Sequence, residues 1–153
     1  MLFRMAVLGS ILCLAAASAL ADEAADRAKL AGKWQPKASE KSDYGTWTLE
    51  DNNGSIRITQ ESNGQRIADY ECNTTGRECE IKEAGHVAKV SMWFNGAKLV
   101  EMRTRGSEVI KRRFQVTGDG NMMEMEVIPI APDGRSKVIH MSRLRTEGNR
   151  KPQ

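Results

Sequence analysis

The chain is poor in the residues from which most catalytic centres are built. Its 153 residues include 2 histidines, 3 cysteines, 3 tryptophans, 2 tyrosines and 3 phenylalanines. His86 and His140 stand far apart, and no His-x-x-x-His, His-Glu-x-x-His or Gly-x-Ser-x-Gly arrangement surrounds them. Zinc-hydrolase and serine-hydrolase chemistry therefore have no foothold. Every glycine after the first strand belongs to a strand turn rather than a strand-to-helix entry, which excludes a phosphate-cradling loop. The expectation is a protein without catalytic residues, metal or cofactor.

An excess of one charge is missing as well. Lys plus Arg number 23 against 20 Asp plus Glu, and the two signs are interspersed along the chain. A nucleic-acid partner needs a markedly basic face, so none is expected. Long apolar runs are absent except near the start. There, residues 5–17 fall short of the roughly 20 apolar residues that span a bilayer, so no membrane span is expected. Arg4 before that run, and the small residues Ala19-Leu20-Ala21 before Asp22, make residues 1–21 a signal peptide. Residues 22–145 are then a single domain, residues 146–153 a disordered tail, and the protein is exported, periplasmic or extracellular.

Cys13 falls in the leader, leaving Cys72 and Cys79 in an oxidising compartment. A hairpin turning near Gly76 would set them opposite each other, and a disulfide between them is expected. A redox pair would prefer Cys-x-x-Cys, and a metal site needs more ligands than two.

What the sequence has in quantity is turns. Glycine recurs every nine to fifteen residues from Asn53-Gly54 to Asp133-Gly134, three times after Asn and twice after Asp. These dipeptides tolerate the positive φ that lets a hairpin turn match strand twist. The intervening segments, residues 46–52, 54–61, 65–73, 77–84, 86–94, 97–105, 109–117, 121–130 and 135–145, follow a short strand at Trp34. Several alternate: Ala88, Val90, Met92 and Phe94 share one face, and Lys89, Ser91 and Trp93 the other. So many short-looped strands are too many for one open sheet with bare edges. The fold class is all-β, an antiparallel up-and-down barrel of 8–10 strands preceded by a short, alanine-rich helix over residues 22–30.

A Gly32-Lys33-Trp34 start after a short helix, followed by a meander, resembles the lipocalin and fatty-acid-binding barrel superfamily. Uncharacterised bacterial exported proteins of lipocalin-like type offer a nearer likeness. It runs through Gly32-Lys33-Trp34, Glu40-Lys41-Ser42, the central Lys89-Val90-Ser91-Met92-Trp93-Phe94-Asn95-Gly96, and Lys98-Leu99-Val100-Glu101. The resemblance implies that Trp34 closes the barrel floor with an arginine of the last strand, Arg143 or Arg145, packed across it. It also implies an interior in which arginines meet ligand carboxylates.

The candidate for that role comes from the one basic cluster, Arg103, Arg105, Lys111, Arg112 and Arg113, on two strands joined at Gly106-Ser107-Glu108. A three-residue loop pairs Glu101 with Arg113 and Arg103 with Lys111 on the outer face, and Met102 with Arg112 and Val100 with Phe114 on the inner. A loop of two or four residues would exchange the faces and put Arg112 in solvent. In the three-residue register Arg112 is buried, and it then requires an internal carboxylate, ordered water or an anionic head group. The expected ligand is a small apolar or amphipathic molecule, acidic if Arg112 anchors it, lined by Val90, Met92, Phe94, Met102 and Phe114. The expected interior is hollow over a few hundred Å³. The alternative is a monomeric protein-binding barrel, such as an inhibitor of an envelope or host hydrolase, acting through residues 22–30 or the turn at Gly96.

Overall fold

A computed structural model describes residues 12–40 and 44–145, with side chains from residue 21 onward. The expected tail, and most of the expected leader, lie outside the described residues. A helix α1 (Leu12–Leu30) leads into ten strands: β1 (Gly32–Pro36), β2 (Thr46–Asn52), β3 (Ser55–Ser62), β4 (Gln65–Asn73), β5 (Thr75–Glu83), β6 (His86–Asn95), β7 (Lys98–Arg105), β8 (Glu108–Thr117), β9 (Met122–Ala131) and β10 (Lys137–Arg143). The helix starts earlier than residues 22–30 because the alanines upstream of Asp22 are themselves strong helix formers. Among the described residues no helix is long and apolar enough to cross a membrane.

All pairings are antiparallel, and the strand order is β4-β3-β2-β1-β10-β9-β8-β7-β6-β5. The first and last strands meet without a backbone ladder, so the barrel closes except for one seam between β4 and β5. Asn53-Gly54, Asn63-Gly64 and Ala84-Gly85 turn with both residues at positive φ, between 47° and 98°, the mirror-image turn that suits strand twist.

The Cys72–Cys79 disulfide forms, with Cα atoms 6.1 Å apart, and it ties the seam. The turn lies at Asn73-Thr74 rather than near Gly76. Gly76, at φ 81°, falls inside β5 beside an irregularity between Thr75 and Glu78, so the cysteines face each other across an unladdered gap.

Turns after β2, β4, β6 and β8 lie at one end of the barrel together with α1; the other turns lie at the far end. The expected hollow interior is not found: Trp34, Trp47, Leu49, Ile56, Ile58, Val90, Met92, Leu99, Phe114, Met123, Met125, Ile139 and Met141 fill it as a packed core, each at most 2% exposed. The exposed large apolar side chains are Ile67, Val87, Ile130 and Val138, all beside far-end turns.

The helix end is closed by Trp34 and Arg143. Trp34 is fully buried and donates its indole N–H to the Leu30 carbonyl at 3.0 Å. The Arg143 guanidinium lies 4.1 Å from the Trp34 ring centroid and donates to the carbonyls of Lys29, Ala31 and Gly120 at 2.5, 2.7 and 3.0 Å. Two of these are final carbonyls that a helix leaves without an internal partner. Gly32 permits the approach, because a Cβ there would sit 2.3 Å from Arg143 Nη1 and its φ is +147°. Arg27 pins the helix over the rim, pairing with Glu23 and with Asp51 at 3.1 Å each and donating to Thr74.

Candidate functional site: a buried charged layer

Strand β8 carries Arg112 and Phe114 inward, and its partner β7 decides what they meet. The β7–β8 turn is the two residues Gly106-Ser107, with Arg105 paired to Glu108, Arg103 to Ile110, Glu101 to Arg112 and Leu99 to Phe114. The expected three-residue loop is therefore corrected, and β7 turns over. Leu99, Glu101 and Arg103 face the interior at 0, 0 and 9% exposure, whereas Met102 lies on the outer face, half-buried, and does not line the interior. Val100 and Thr104 move outward with it. Arg112 keeps its inward direction because the shift changes its partner, not its own strand.

The interior carboxylate that Arg112 requires is Glu101. Arg112 Nη1 donates to Glu101 Oε2 at 3.0 Å, and the Tyr70 hydroxyl, arriving from β4, donates to Glu101 Oε1 at 2.6 Å. Arg112 also lies 5.2 Å from the Trp47 ring, which in turn tilts against Phe114 at 5.9 Å. Burial lifts the Tyr70 hydroxyl well above its ordinary pKa, and the adjacent Glu101 charge adds to the rise. For Arg112, burial pulls downward most strongly, but Glu101 and the neighbouring tyrosines together more than offset it, so the guanidinium stays charged.

One step nearer the far end, Arg103 pairs with Glu83 of β5, and Arg105 lies 3.7 Å from the same carboxylate. Burial, then the nearby Arg112 charge, depresses Arg103. Arg103 Nε is a buried donor without a partner among the described residues, whereas Glu83 Oε2 is the oxygen engaged by the Arg103 guanidinium.

Of the other expected lining residues, Val90, Met92 and Phe114 are wholly buried beside this layer. Phe94 sits at the helix end instead, half-buried, 4.9 Å beneath Arg27. Glu101, Tyr70 and Glu83 were not legible as interior groups. Leu99 and Val100 are both apolar, so the inward face of β7 could not be read from alternation. His140 lies on the outer face, 3.3 Å from Glu40 and 3.7 Å from Glu124, where it holds the β1–β2 connection to the barrel wall. Its two ring nitrogens point to different carboxylates, and among the described residues no group of His, Cys, Asp and Glu could hold a metal ion.

An external groove of about 480 Å³ lies between α1 (Asp22, Glu23, Ala25, Asp26, Lys29) and Phe94, Gly96 and Ala97 of the β6–β7 hairpin.

No protein-family model matches the sequence, and no curated protein matches it. Solved structures do share its shape. A secretory abundant heat soluble protein from Ramazzottius varieornatus superposes with a TM-score of 0.63 at 10% identity, over 76% of this chain and 96% of that one. A protein described as the REP1-NXSQ fatty acid transporter gives 0.62 at 18% identity, over 78% and 99%. Echinococcus granulosus fatty-acid-binding protein 1 gives 0.63 at 12%, over 77% and 99%. At these identities the likeness establishes the fold alone, a ten-stranded antiparallel barrel.

Proposed function

We propose that this is a non-catalytic, exported barrel that takes a small apolar or amphipathic molecule into its interior. The observation that carries the reading is the layer of Tyr70, Glu101 and Arg112, buried under Trp47 in an otherwise apolar core. Buried ionised groups cost more than their pairing returns unless position matters. A polar head placed against this layer, with an apolar tail among Val90, Met92, Met123, Met125 and Phe114, is what such an arrangement suits. The interior is closely packed, so entry requires side chains to move. The buried methionines are unbranched and can repack around a guest. Fatty acids named for two structural relatives support the same class of ligand.

The test is mass spectrometry of small molecules released from natively purified protein, beside an Arg112→Ala variant. The expected result is a lipid-like species in the wild type that is depleted in the variant. An empty wild type that also fails to take up an apolar fluorescent probe would sink the reading.

A second reading, a protein-binding barrel such as a hydrolase inhibitor, is favoured by the external groove, which joins the helix to the Gly96 hairpin. Its test is inhibition of a panel of envelope and host hydrolases, relieved by Ala97→Trp. Export itself is tested by the N-terminus of the secreted product, expected at Asp22.

A further inference from the structure

The charges in and around the buried layer cancel. Arg112 is matched by Glu101, Arg103 by Glu83, and Arg105 at the rim by Glu108, with closest approaches of 3.0 Å for the first pair and 3.9 Å for the last. Glu101 already serves as the counter-charge that an incoming carboxylate would supply to Arg112, its oxygens accepting from Arg112 and Tyr70 at 3.0 and 2.6 Å. An anionic head group would add an unmatched negative charge beside the fully buried Glu101. A hydroxyl brings no charge. It can accept from Arg103 Nε, the buried donor that has no partner among the described residues, while Glu83 stays engaged by Arg103 and Arg105.

We infer that the barrel selects amphiphiles with an uncharged, hydrogen-bonding head, such as long-chain alcohols, and that Glu101 is the residue that turns fatty acids away. The inference rests on the interior-binding reading above and narrows its ligand class. It also reverses the acidic preference that Arg112, taken alone, suggests.

The experiment compares 1-dodecanol with dodecanoate at pH 8, where the acid is ionised, as competitors of a neutral apolar dye bound to the delipidated, disulfide-intact chain. The alcohol is expected to bind at least about tenfold more tightly, or 1.4 kcal/mol. Glu101→Gln, whose fold is checked by circular dichroism, frees the Arg112 charge and is expected to move the preference at least about tenfold toward the acid. The wild-type comparison decides even where that variant fails to fold. Dodecanoate binding as tightly as dodecanol would overturn the selectivity while leaving interior binding in place. If neither competitor displaces the dye and neither binds directly, interior binding itself falls.

Discussion

Arg143 and Trp34 are paired neighbours on β10 and β1, and the guanidinium of one sits 4.1 Å from the indole centroid of the other while serving three backbone carbonyls. The arginine thereby joins strand, helix and β8–β9 turn at one point. Replacing it with alanine removes charge-assisted hydrogen bonds and a cation–π contact, and is expected to cost about 2–4 kcal/mol in urea denaturation.

Gly32→Ala tests the same joint from the other side. The new Cβ meets Arg143 Nη1 and the φ of +147° is unfavourable for alanine, so about 1–3 kcal/mol of destabilisation is expected. Part of that cost is steric and should disappear in the Arg143→Ala background. A double-mutant cycle showing strict additivity would mean that the two residues do not share this contact.

The β4–β5 seam lacks a ladder, so the disulfide is its covalent tie. Cys72→Ser with Cys79→Ser closes no loop in the unfolded chain and is expected to lower stability by about 2–3 kcal/mol. Amide exchange in β4 and β5 should rise before that of the laddered strands. Uniform protection across the sheet after reduction would contradict the assignment of the seam as the weak line of the barrel.

Tyr70 predicts an alkaline limit. Its folded pKa lies well above 10.0, because burial and Glu101 penalise the phenolate. The stability it contributes is fully present below the unfolded value near 10 and is lost as pH rises toward the higher folded value. Denaturation curves from pH 8 to 11 should therefore weaken above about 10. Tyr70→Phe, less stable at pH 8 by roughly 1–2 kcal/mol for its hydrogen bond to Glu101, should show less of the alkaline decline. Absorbance titration should find Tyr70 ionising only on unfolding.

The strands and their number were legible because each signal is local. An Asn-Gly turn requires no distant partner, and alternation such as Ala88, Val90, Met92 and Phe94 marks one face of a pleat by itself. Trp34 and Arg143 could be proposed as neighbours only through a resemblance, and the part played by Gly32 becomes apparent when the helix end is seen beneath the guanidinium. The candidate site was half legible. Arg112 and Phe114 have the interior direction expected of them, but their partners do not follow from β8.

By itself, the sequence determined the meander and the cysteine pair, both properties of short segments. Tertiary structure decided that β7 turns over on a two-residue loop, bringing Glu101 in and sending Met102 out, and that β4 and β5 meet without a ladder. The physical reason is the two-residue period of a strand: one residue of loop length exchanges every side chain of one of the two joined strands between core and solvent, and pairing across the closed barrel, not local propensity, chooses which strand turns.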